Sequence, residues 1–219
     1  MHLFEQLEKD GYTHAIATML SSGLSGTVNQ VRLFASEMEN IEIAVYDSKS
    51  AAVGNGSIAI SLAEYRNKGL SFNELKDKAE ILIENTSVFF SIDTLEYLQK
   101  GGRIGKAEAF LGNTLKLKPI MTIGKANGDI EVPAKVRGNK KMPGKLIELI
   151  SNIIDENPGR KFKLMVADGL SREARDKMEA ELLEKYPDYI VCYESKIGAA
   201  LSCYLGPGLL GAGVQFIDD

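Results

Sequence analysis

"ATMLSSGLSGTVNQ", residues 17–30, leaves an apolar run and enters a helix through three serines and two glycines within six residues. An ordinary strand-to-helix connection needs one N-cap residue and at most one glycine. Upstream, residues 12–20 (YTHAIATML) read as a buried strand. Downstream, VNQVRLFASEM reads as an amphipathic helix with Val28, Val31, Leu33, Phe34 and Met38 turned inward. The pattern repeats: IEIAVYD is the next strand, helices are predicted over 50–68 and 72–84, and SVFFSID (87–93) is a third strand. Strands alternating with helices predict an α/β fold with a doubly wound parallel sheet.

In such a sheet, ligands collect at the carboxyl ends of the strands, where helix N-termini carry unpaired N–H groups and about half a positive charge. SSGLSGT sits at such an end. Ser25 is the expected N-cap, Gly26 and Thr27 open the first turn, and Ser21 and Ser22 finish the strand. The cluster reads either as helix capping or as a seat for a carboxylate or phosphate. Serine catalysis is disfavoured, because His2 is terminal and His14 is predicted inside the buried strand, leaving no base in place. At the next strand end, Asp47, Ser48 and Ser50 repeat the chemistry, with Asp47 placed either to cap a helix or to meet a ligand. At the third, Ser91-Ile92-Asp93-Thr94 leads to a short helix that Gly101-Gly102 stops. Arg103 then stands among glycines, as solvated surface or close to an anion.

From residue 117 the style changes. KPIMTIGKANGDIEVPAKVR forms two β-rich runs about a turn at 126–129, a predicted hairpin. Helix 140–154, strand 161–167, helix 171–185, strand 188–194 and a last strand near 213–217 follow. Together they predict an α+β unit with a largely antiparallel sheet. The expected domains are 1–116 and 117–219. Near the end, the Gly-Pro-Gly at 206–208 and the glycines after it exclude a regular helix. Leu201, Leu205, Leu209 and Leu210 flank it, as core or as the lining of a groove, and Tyr204 is the hydrogen-bonding side chain just before it.

The 219 residues include 26 basic and 30 acidic side chains, a formal charge of −4 that gives no footprint for nucleic acid. The densest basic cluster is short: Lys135, Arg137, Lys140 and Lys141. Cys192 and Cys203 have no metal-ligand spacing and read as buried thiols of a reducing compartment. No leader-like or membrane-length apolar run occurs, which makes the cytoplasm the expected location. No cofactor and no metal are expected, since neither a P-loop nor a nucleophile–base pair is present.

Five stretches in order, LSSGLSGTVNQ, VYDSKSAAVGNG, LEYLQKGGRIGKAEAFLGNTLKLKPIM, VRGNKK and IGAALSCYLGPGLLGAGV, resemble the DegV family of bacterial fatty-acid-binding proteins. That family includes the lipid-carrying subunit of bacterial fatty acid kinase. The resemblance implies one long-chain fatty acid held between two domains. A serine of the Ser-Ser-Gly-Leu-Ser-Gly motif and an upstream threonine would hold the carboxylate, backed by an arginine and a histidine. Carried over, Ser25 is the first choice for the serine and Ser22 the second, with Gly26 beside them. Arg103 matches the arginine, and Tyr204 stands where the histidine often is. Arg137 reads either as the docking residue for a separate kinase or as part of a solvated charged face. The family's first strand, with its threonine, has no counterpart here, because Met1 falls in the helix that follows it. That reading predicts a weakened carboxylate clamp and self-association through an open sheet edge. Two other classes remain: a small-molecule phosphotransferase or hydrolase, and an interaction module that binds no ligand.

Overall fold

The computed structural model describes residues 2–112, 117–187 and 192–217. After α1 (His2–Lys9), β1 (His14–Met19) and β2 (Glu42–Asp47) pair in parallel, His14 opposite Glu42 and Met19 opposite Asp47. Between them runs α2 (Thr27–Ser36), whose Val28 is fully buried. Leu33, expected inward, is 58% exposed. It follows the polar side of the helix, one position before the half-buried Phe34. The strand β1 is half-buried rather than buried, and His14 at its start is exposed, with its ring against Thr13 and Phe72.

Then come α3 (Val53–Asn67) and α4 (Phe72–Glu84). A capping box opens α4: the Ser71 hydroxyl accepts the Glu74 N–H while the Glu74 carboxylate accepts the Ser71 N–H at 2.7 Å. The next strand departs from expectation. β3 (Thr86–Ser91) does not join the parallel pair but lies inside a six-stranded sheet. That sheet also holds β4 (Leu117–Ile123), β5 (Ile130–Arg137), β6 (Phe162–Gly169), β7 (Cys192–Lys196) and β8 (Leu209–Phe216), in the order β5-β4-β3-β8-β6-β7. Every pairing is antiparallel except β6 with β7. The change of sheet therefore falls between Glu84 and Thr86. Residue 116, the expected boundary, lies outside the described residues, as do 188–191 of the expected strand 188–194.

The order explains the difference: β3 lies between β4 and β8, and β8, with which it pairs along its whole length, is the last of the described strands, so no local pattern points to it. β8 itself begins at Leu209, four residues before the expected 213. Its alternation puts Leu210, Ala212, Val214 and Phe216 in one core, beneath α6 (Met142–Asp155) and α7 (Arg172–Lys185) with Leu146, Ile150, Met178 and Leu182. The other face carries Leu209, Gly211, Gly213 and Gln215. Gly211 borders open space there, whereas a Cβ on Gly213 would fall 2.8 Å from Ser87 O and 2.9 Å from Met165 Cε. Strands β6 and β8 are buried on both faces, as expected for strands covered by helices on each side.

Against that second face lies α3, between the two sheets. A polar network ties it down. Ser57 and Ser61, one turn apart, both donate to the Gln215 Oε1 at 2.8 and 2.7 Å, and Gln215 Nε2 donates to Thr86 Oγ1 at 2.9 Å. The buried Lys163 ammonium donates to Ser61 Oγ at 2.9 Å and pairs with Glu64. Removing the amide strands buried hydroxyls, which costs more than one hydrogen bond is worth. Gln215→Leu is expected to lose about 2–4 kcal/mol in urea denaturation, against about 1 kcal/mol for Ser57→Ala. Equal small losses would show that the network does not hold α3.

Candidate functional site

A cavity of about 470 Å³ opens between the two sheets. The parallel unit contributes Leu20, Leu24 and Ser25 from the loop after β1 with Thr27 at the start of α2, and Ala51 and Ala52 from the loop after β2 with Val53 at the start of α3. The larger sheet contributes Val88, Phe90, Ile123, Ala167, and Leu209 and Gly211 of β8. The short helix α8 (Ala199–Leu205) closes it with Leu201, Tyr204 and Leu205. Leu201, Leu205 and Leu209 thus line a groove, whereas Leu210 points into the core beneath α6. Almost all of the wall is apolar. Ser25, Thr27, Arg103 and Tyr204 are its hydroxyl-bearing and charged side chains.

These four gather at one place. Ser25 is not the N-cap of α2, which is Gly26, and no side chain caps the helix. The Ser25 hydroxyl instead accepts the Thr27 N–H at 3.3 Å and lies 2.8 Å from the Thr27 hydroxyl. Gly26 starts the helix outside the cavity wall. Arg103, just after α5 (Glu96–Lys100), donates from Nε to the Leu24 carbonyl at 3.1 Å and from Nη1 to the Gly101 carbonyl at 2.8 Å. Its guanidinium stands 5.5 Å from the Tyr204 ring centre. Two of its five N–H groups are thereby engaged and the planar fork is held in place. Thr27 was not singled out as a binding residue, although the same hydroxyl-rich motif contains it.

Ser22 faces elsewhere. Its hydroxyl accepts from the Lys49 ammonium at 3.2 Å, and its N–H donates to Asp47 Oδ1 at 3.1 Å. Asp47, 2.9 Å from Lys49 in an ion pair, caps no helix; α3 has Ala52 at its cap. Ser21 is wholly buried and donates to the Gly128 carbonyl at 2.8 Å, docking the loop onto the β4–β5 turn. A Cβ on Gly23 would fall 2.5 Å from the Gly128 carbonyl carbon, so the two backbones touch. Ser48 and Ser50 are buried in the loop after β2, where Lys49 (φ 46°) and Ala52 (φ 47°) adopt backbone that L-residues disfavour. Ser91 donates to the Pro119 carbonyl, while Asp93 accepts from Asn139 and Thr94 Oγ1 accepts the Glu96 N–H; none lines the cavity.

Arg137 ends β5, an edge strand, and is exposed away from the cavity. Cys203, expected buried, is exposed on α8, and the side chain of Cys192 lies outside the described residues. No helix among the described residues is long and apolar enough to cross a membrane.

The DegV family model, described as one of uncharacterised proteins, matches residues 1–216. The chain belongs to the DegV family. A DegV domain-containing protein of Clostridium perfringens is 35% identical over 213 residues, spanning 97% of this chain and 74% of that one. Among solved structures, DegV from Bacillus subtilis, a fatty acid binding protein, superposes with TM-score 0.86 at 32% identity, covering 99% of this chain and 75% of its own. A fatty-acid-binding DegV family protein from Thermus thermophilus gives 0.89 at 28% identity, again covering 99% and 75%.

The Asp47 cluster beside the cavity loop carries a pH dependence. Burial pushes the Asp47 carboxyl up, but hydrogen bonds from Ser22 and Lys49 outweigh it and the net shift is downward from 3.8. A carboxylate with a depressed folded pKa stabilises the protein above its unfolded pKa and stops doing so as pH falls through the lower folded value. Asp47→Asn should therefore be less stable than wild type at about pH 7, and the gap should narrow as pH falls through and below the ordinary carboxylate range in urea denaturation. A gap independent of pH would refute the charge-based account.

Proposed function

We propose that this protein is a carrier that binds one long-chain fatty acid in the cavity between its sheets. The observation that carries the reading is the distribution of polarity in the wall: one group of hydroxyls and a guanidinium, and apolar surface elsewhere. Ser25, Thr27 and Tyr204 offer hydroxyl donors to a carboxylate, and Arg103 offers its remaining N–H groups. The tail lies along Leu24, Phe90, Leu201 and Gly211. Burying it contributes about 0.8 kcal/mol per methylene, so ten methylenes offer about 8 kcal/mol before association costs. The tail supplies affinity and the head group sets orientation. The fatty-acid binding of the Bacillus and Thermus relatives supports the same assignment.

We further propose that the bound acid is presented to a separate kinase, with Arg137 in the docking surface. It stands beside Lys135 and close to Lys140 and Lys141, all exposed. Such a surface steers an acidic partner or a phosphoryl donor.

The test is titration of delipidated protein with a fluorescent fatty acid. Ser25→Ala is expected to weaken binding by about 1.5–3 kcal/mol, the worth of a hydrogen bond to a charged group. Ser22→Ala should change little, because its hydroxyl is spent on Lys49. The reverse ranking would move the carboxylate to the Asp47 side of the loop. Arg137→Ala should bind lipid normally and slow acyl phosphorylation in a reconstituted assay; unchanged turnover would leave Arg137 as plain surface.

A further inference from the structure

Two tyrosines and two glycines join α5 to α8 reciprocally. The Tyr204 ring of α8 covers Gly101 at the end of α5, where an added Cβ would fall 2.4 Å from Tyr204 Cδ1. The Tyr97 ring of α5 covers Gly206 at the end of α8, where an added Cβ would fall 2.5 Å from Tyr97 Cδ2. Gly206 has φ 65°, so conformation alone favours glycine there. Gly101 has φ −79°, which any residue adopts, so at that site the close ring is what demands glycine. Gly101 also gives its carbonyl to Arg103, whose guanidinium lies against the same Tyr204 ring. Tyr97 is no part of the cavity wall; it lines a groove on the far side of α8 with Gly206 and Pro207. The helix α8 buries none of its residues fully; its Tyr204 and Leu205 pack, part-buried, against the core.

We propose that this reciprocal clasp positions the head-group end of the site: Tyr97, without touching the ligand, seats α8 so that the Tyr204 hydroxyl and the Arg103 fork face one carboxylate together. The inference rests on the fatty-acid reading above. It makes Tyr97 a positioning residue, and it gives Gly101 a role in ligand discrimination rather than in backbone conformation. A preorganised pair of donors favours a charged carboxylate over a neutral head group of the same chain length, whereas the apolar tail contacts favour both alike.

The experiment displaces a fluorescent fatty acid with hexadecanoic acid and, separately, with hexadecan-1-ol. Wild type should prefer the acid. Tyr97→Ala and Gly101→Ala, which disturb the clasp from opposite sides, should each cut that preference by about tenfold or more, weakening the acid far more than the alcohol. Tyr97→Phe keeps the ring and should keep the preference. Equal weakening toward both ligands, or an unchanged preference in both variants, overturns the clasp while leaving the fatty-acid site standing. A wild-type protein that does not distinguish acid from alcohol overturns the head-group assignment and the clasp with it.

Discussion

The buried amide of Gln215 is the constraint on which the arrangement of this protein depends. It sits in β8, the last strand, and its Oε1 receives two hydroxyls of α3 while its Nε2 reaches Thr86 at the start of β3. An apolar contact of the same area would tolerate sliding or rotation of the helix. A fully satisfied polar cluster does not, because each displacement strands a buried donor or acceptor at about 1–3 kcal/mol. Fixing α3 on the large sheet also fixes the loop that precedes it, and with it Ala51, Ala52 and Val53 in the cavity wall. The loop after β1 is secured separately, by Ser21 and Gly23 against Gly128. Two joints thus hold the halves of the site at a set distance.

Part of the space between those joints comes from a side chain that is absent: on the face of β8 that carries Gln215, Gly211 leaves the sheet bare in the cavity wall. Gly213 is itself closely approached, with Ser87 O 2.8 Å from where its Cβ would stand. The same strand therefore anchors a helix at one end and opens a cavity toward the other. The disfavoured backbone at Ala52 belongs to this wall, and the surrounding packing sustains its cost of about 1–3 kcal/mol.

Much of this was legible from residues alone. Periodicity located α4 and the hairpin of β4 and β5, because those elements are specified by neighbours in sequence: a capping box at Ser71 and Glu74, a turn rich in glycine and asparagine. The resemblance brought Ser25, Arg103 and Tyr204 to one site, and the structure gathers them in one cavity wall. What was not legible depends on distant partners. SVFFSID has the pattern of any buried strand; it runs antiparallel to both its neighbours, and the one it pairs with along its whole length begins more than a hundred residues later. Ser22 and Ser25 look alike in sequence; Lys49 engages one and Thr27 the other. Gly101 reads as a helix stop and Gly206 as part of a Gly-Pro-Gly that excludes a regular helix, and nothing local says that each receives a tyrosine from the other segment.

Native mass spectrometry of the protein purified gently from cells tests the central claim most directly. The account predicts a complex with one bound molecule whose released mass is that of a long-chain carboxylic acid, lost on delipidation and regained on adding the acid. A protein that carries no acyl chain and acquires none from an excess of fatty acid would contradict it.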